Sequence, residues 1–189
     1  DCMEPLHDQL DLIYPLPEPA RTAFMAAWKP MTHPKGHFLV PEGRVSQHLY
    51  FIVKGVARIY YYKQEREVTE WLALDRSFFF SIRSFFEGVP THLIIHLLEP
   101  SKLYAIHHDD FMRLCNQYHE VEKMLRHMVT GSLLLSQVRM ESIQFETAQQ
   151  RYERLIRERP DIVQRVSLGH IASFLGITQE TLSRIRAAF

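Results

Sequence analysis

Three patterns of hydrophobic and polar positions succeed one another along this 189-residue chain. From His37 to His107, short runs rich in β-branched and aromatic residues alternate with turn residues. The runs are His37–Val40, Leu49–Lys54, Val56–Tyr62, Glu67–Ala73, Leu93–Leu98 and Lys102–His107; Pro41-Glu42-Gly43, Lys54-Gly55 and Lys63 to Arg66 separate them. Such spacing predicts an antiparallel, jelly-roll-like β-barrel. Ahead of it, Pro5, Pro15, Pro17, Pro19 and Pro30 limit any helices to short ones, with Glu18–Trp28 the best candidate.

After Asp109 the period becomes helical. Asp109 or Asp110 suits the cap of a short helix through Phe111 and Leu114. From Glu120 to Ile143 no proline interrupts the chain, and Val121, Leu125, Met128, Ser132, Leu135, Arg139 and Ser142 recur at spacings of four and three. A mostly apolar row of that length fits a partner helix in a parallel dimer, or equally the chain's own barrel. A further helix, Glu146–Arg159, stops before Pro160, which opens the next, Asp161–Arg165.

The chain closes on SLGHIASFLGITQETLSRIR, Ser167 to Arg186. Ile171, Phe174 and Leu175 give a first helix its apolar stripe, and Ala172 is small enough for a second helix to cross closely. Gly176 can take the positive φ that ends a helix. Thr178 is a good N-cap, and Glu180 sits in the first turn, where the helix dipole favours a carboxylate. Leu182 and Ile185 share the buried side. Gln179, Glu180, Ser183, Arg184 and Arg186 then face outward, with side chains able to read base edges. This is a helix-turn-helix pattern, although an ordinary helical hairpin satisfies it too.

Composition narrows the choices. Lys and Arg number 22 against 22 Asp and Glu, so no global basicity points to non-specific nucleic-acid binding. From Glu146 onward seven arginines face five acidic residues, an excess that a dimer would double. Cys2 and Cys115 are too few for a disulfide framework or an iron–sulfur cluster. No run reaches membrane-spanning length and no secretory signal stands out, so a cytoplasmic protein is expected. Of the 11 histidines, His92/His96 and His107/His108 are the tempting pairs, but His92 and His96 would lie about 13 Å apart on a strand, and surface or core roles are expected. No metal or haem site is predicted. The barrel also admits a cupin-type metal enzyme, but His37, Glu42 and His48 lack the ligand spacing. With no nucleophile elbow or phosphate loop either, the chain reads as a non-enzyme without a cofactor.

Glu42-Gly43 followed by Leu49-Tyr50-Phe51-Ile52-Val53-Lys54-Gly55-Val56-Ala57-Arg58 resembles the early barrel strands of the CRP/FNR family of bacterial transcription regulators. Ile171-Ala172, Leu175-Gly176-Ile177-Thr178 and Glu180 to Ile185 resemble that family's DNA-reading motif, and the likeness runs from about Ala20 to the last residue. The resemblance implies an α+β fold: a β-roll domain over 1–118, a dimerisation helix over 119–145 and a helix-turn-helix domain over 146–189. It implies a homodimer on a palindromic double-stranded operator, with RNA polymerase a further partner. Gln179, Glu180 and Arg184 correspond to base-reading positions, and Ser167, Thr178, Thr181, Ser183 and Arg186 to phosphate or base neighbours.

The family's effector pocket is altered. Its Gly-Glu pair appears here as Phe80-Ser81, and its phosphate-neutralising Arg as Thr91. A buried phosphate needs a cation and donors, so cyclic AMP is not expected. Phe80, Ser81, Arg83, Thr91 and His92 remain the candidate lining for another small-molecule effector. Arg76 or Arg83 would have to supply charge from a new direction. The phenylalanines from Phe78 to Phe86 are expected to fill the barrel core. The family's reader is often followed by a β-hairpin wing; here Phe189 follows directly, as in a wingless or shortened reader. A competing expectation is a dimeric ligand-binding or interaction module with a degenerate reader.

Overall fold

The computed structural model describes residues 2–189. Two four-stranded antiparallel sheets face each other. The first runs β1 (Lys29–His33), β8 (Ser101–His107), β3 (His48–Lys54), β6 (Ser77–Phe79). The second runs β2 (Phe38–Val40), β7 (Ile94–Leu97), β4 (Ala57–Lys63), β5 (Arg66–Ala73). Tyr50, Ile52, Ile59, Ile95, Leu97 and Leu103 fill the space between them. Each such buried apolar side chain contributes about 1.5–3 kcal/mol.

Strand alternation sends the neighbouring residues outward. Leu49, Phe51, Tyr104 and Ile106 leave the first sheet to pack under α1 (Glu4–Ile13), α2 (Ala20–Ala27), α4 (His108–Gln117) and the start of α5 (His119–Phe145). Gln64 and Glu65 link β4 to β5 with φ of 48° and 63°. That is the mirror-image turn whose twist matches a hairpin.

Four elements escape the sequence pattern: β1, β6, α1 and the short helix over Ile82–Glu87. β1 contains Pro30, tolerated because β1 lies at a sheet edge. β6 is a three-residue edge strand hidden in the phenylalanine run. α1 carries its proline in the first turn, where no N–H partner is lost. The cap of α4 also differs from expectation. His107 Nδ1, not an aspartate, accepts the Asp109 N–H at 3.0 Å; Asp109 and Asp110 occupy the first turn instead.

The long helix α5 turns the first half of its four-three row toward its own chain. Val121 is fully buried, Leu125 and Met128 pack against the helical layer on the first sheet, and Ser142 is buried further along. Leu133, Leu134, Leu135, Val138, Met140, Ile143 and Phe145 stand exposed on the second half, Leu135 being itself a member of the row.

Beyond α5 come α6 (Ala148–Glu158), α7 (Pro160–Arg165), α8 (Leu168–Leu175) and α9 (Gln179–Ala187). A reciprocal capping box between Thr147 and Gln150 starts α6. Tyr152, Ile162, Ile171, Ala172 and Leu182 form their core, and Val56, Leu72 and Leu74 of the second sheet belong to the same cluster. The C-terminal helices therefore sit directly on the roll. Among the described residues no helix is long and apolar enough to cross a membrane.

Candidate nucleic-acid interface

The turn between α8 and α9 is built by four residues. Ser167 Oγ accepts the His170 N–H at the start of α8. Gly176, at φ 71°, ends that helix, and the Ile177 N–H reaches back to the Ala172 carbonyl at 3.0 Å. Thr178 then caps α9 by accepting the Thr181 N–H at 3.1 Å. Leu182 is fully buried and Ile185 half-buried, which fixes the rotation of α9. Gln179, Glu180, Ser183, Arg184 and Arg186 consequently stand exposed.

Arg184 is not free on this face. Its Nη2 donates to Thr181 Oγ1 at 3.2 Å, and Thr181 Oγ1 lies 2.9 Å from Thr178 Oγ1. The guanidinium is thus drawn toward the N-terminal end of α9, where Glu180 and Gln179 also project. The structure leaves Gln179, Glu180 and Arg184 exposed. A forked donor, an amide and a carboxylate on one exposed helical face are the groups that discriminate base edges.

The candidate effector residues do not converge in the same way. Ser81 is buried and its hydroxyl meets Thr91 Oγ1 at 3.2 Å. Phe80 packs edge-on against Phe85 and Phe86. Arg83, on α3 (Ile82–Glu87), turns outward to pair with Glu87, and His92 meets the Tyr61 ring. Arg76 pairs with Asp8 on α1. Phe79 and Phe85 fill core positions, as expected, while Phe86 stays partly exposed. Among the described residues no group of three or more His, Cys, Asp or Glu is placed to hold a metal ion.

One set of residues was not singled out from the sequence. Arg58 Nε donates to Thr69 Oγ1 at 2.9 Å, and its Nη1 to Glu67 Oε2 at 2.6 Å. Ser173 on α8 accepts the Thr69 N–H at 2.8 Å and donates to the Glu67 carbonyl at 3.0 Å. From α5, Arg139 donates to the Thr69 and Phe174 carbonyls and lies over the Phe174 ring. Burial raises the Glu67 carboxyl, but the hydrogen bond and charge of Arg58 outweigh it and hold it below its ordinary value. The signal in the sequence was Arg58 itself, a cation inside the apolar run Val56 to Tyr60.

A second tie joins the same bodies. Arg165 on α7 reaches Asp75, Glu99 and the Gly55 carbonyl. Burial again opposes the charge on Asp75, and the bonds from Arg165 and the Gly55 N–H lower its pKa overall.

The sequence profile described as the cyclic nucleotide-binding domain matches residues 30–118. No curated protein matches the chain. Among solved structures, a putative transcriptional regulator of the crp/fnr family from Eubacterium rectale superposes with a TM-score of 0.72 at 16% identity, covering 96% of this chain and 87% of that one. FixK2 from Bradyrhizobium japonicum gives 0.70 at 19% identity, over 85% and 83% of the two chains. The catabolite activator protein of Thermus thermophilus gives 0.59 at 18%, over 94% and 85%.

Proposed function

Since this chain carries a cyclic nucleotide-binding domain over residues 30–118 and has the CRP/FNR regulator fold, we propose that it is a homodimeric, sequence-specific DNA-binding transcription regulator. Residues 1–118 form its sensory or scaffolding roll, 119–145 the dimer helix and 146–189 the reader. The observation that carries this reading is the outer face of α9, where Thr178 and Thr181 orient Arg184 beside Glu180 and Gln179. Gln179, Glu180 and Arg184 contact bases; Ser167, Thr178, Thr181, Ser183 and Arg186 lie along the phosphates. Each reader enters a major groove, with half-sites about one helical turn apart. The role is non-enzymatic and cytoplasmic.

The controlling signal is not cyclic AMP. Ser81 and Thr91 are spent on each other, and the nearby cations Arg83 and Arg76 are paired with Glu87 and Asp8. A buried phosphate would go unneutralised.

Selection of bound fragments from random DNA tests the reading. Enrichment of a two-fold palindrome is expected. Arg184→Ala should then weaken the selected operator by about 1–3 kcal/mol in a shift assay at fixed salt, with the dimer intact. Absence of any enriched palindrome would instead favour a module without a working reader.

A further inference from the structure

Arg58 is only 2% exposed, yet it lies on the outer face of its sheet. Its neighbours Ala57 and Ile59 point into the core between the sheets, so alternation sends Arg58 the other way. The reader buries it, because α8 lies across β5 and Ser173 closes over Thr69. Two histidines share this covered space. His96 is the register partner of Arg58 on β7, and His170 lies one turn before Ser173 on α8.

We propose that this interface is a proton-operated latch, in which protonation of His96 and His170 beside the buried Arg58 releases the reader from the roll. The charge inventory favours release. Facing His170 are Arg58 from β4, Glu67 from β5 and His96 from β7. Around the rest of α8, Arg139 from α5 holds the Phe174 carbonyl and Arg151 from α6 holds the Leu175 carbonyl. Of the two β5 carboxylates here, Glu70 faces Arg139 and Glu67 is already committed to Arg58. Two added imidazolium charges would share this space with the Arg58 guanidinium, with each other, and with a single carboxylate already paired to Arg58.

The sign follows from the docked environment. Burial, Arg58 and His96 hold His170 below its ordinary value, against the pull of Glu67. Burial and Arg58 do the same for His96, against Glu67 and a hydrogen bond with the Gly36 backbone. Undocking exposes His170 and the α8-facing side of His96, whose stack on Phe38 stays with the roll, and moves both toward about pH 6.5. The undocked form then binds more protons, so docking is strongest above that pH and weakens below it. The docking equilibrium changes by at most about tenfold per pH unit for each histidine.

Trp71 is a built-in reporter, its ring 6.2 Å from that of Phe174 on α8. The only other tryptophan, Trp28, lies buried in the roll's helical layer. In a Trp28→Phe background, Trp71 emission should shift to the red between pH 8 and 5.5. The shift should vanish when His96→Gln and His170→Gln are added. If Trp28→Phe does not fold, amide exchange in the unaltered chain reads the same event. The Thr69 N–H, bonded to Ser173, should lose protection at pH 5.5 after correction for intrinsic rates, while β3 amides keep theirs. Constant Trp71 emission and Thr69 protection would overturn the latch. So would an unchanged response in the double histidine variant, which would assign it to other histidines. Neither readout involves DNA, so the latch stands or falls apart from operator binding.

Discussion

Gly55, between β3 and β4, has a φ of 136°, and a Cβ built there would lie 2.1 Å from Ser101 Oγ and 3.0 Å from Ser101 Cα. The hydroxyl can rotate away; the backbone carbon cannot. Strain at such a φ costs about 1–3 kcal/mol, and forced overpacking a similar amount. Gly55→Ala should therefore lower the unfolding free energy by about 3 kcal/mol in urea titration. Gly43 also has a positive φ, 75°, but open space around its missing Cβ. Gly43→Ala should cost only about 1 kcal/mol, the left-handed penalty alone. A comparable loss at both sites would show that the Ser101 contact is not what fixes Gly55. Arg58 is the opposite lesson in legibility. Its place in a strand was readable from the sequence, but its burial was not, because the covering side chain, Ser173, comes from 115 positions further along the chain.

Element positions were readable wherever local chemistry decides them. Gly176 and Thr178 mark the α8–α9 turn because a positive φ and a cap hydroxyl are local requirements, and six of the eight strands follow their apolar runs. Elements were missed where a usual breaker sits at a permitted place, as Pro30 does in edge strand β1 and Pro5 in the first turn of α1. The extent of α5 was readable too, but not its facing. Its four-three row is turned inward at Val121 and Ser142 but not at Leu135, so exposed apolar residues lie both on that row and beside it. Leu134 and Val138 are 61% and 50% exposed and one turn apart, on the half of α5 that leaves the roll. A proposed dimer helix would bury them. Leu134→Glu with Val138→Glu places two carboxylates in that seam, and unpaired buried charge is costly. The dimer dissociation constant should rise by about 100-fold or more in sedimentation equilibrium, equivalent to about 2.7 kcal/mol. An unchanged constant would remove this half of α5 from the dimer contact.

On the scale of the whole molecule, the roll and the C-terminal helices share one apolar cluster, with Leu72 and Leu74 on one side and Ile162, Ile171 and Leu175 on the other. Two polar ties flank it, Arg165 to Asp75 and Glu99, and Ser173 to Thr69 and Glu67. The chain should therefore unfold in a single calorimetric transition. Arg165 is about a quarter exposed and its partners more so, so its loss should cost only about 1 kcal/mol after allowance for solvent screening. Losing Ser173 leaves the covered Thr69 N–H without its acceptor, at about 1–3 kcal/mol. Arg165→Ala combined with Ser173→Ala should split the transition, with the C-terminal helices melting first. The two ties also differ in pH response. Asp75 has a lowered pKa when docked, so its contribution is present above its ordinary value near 3.8 and is lost only as pH falls through that value and below. The histidines act instead below about pH 6.5. Between pH 6.5 and 4, then, the Arg165 tie should persist while the Ser173 side opens, leaving the reader hinged at α7. A single transition in the double variant would place the whole coupling in the apolar cluster and remove the hinge.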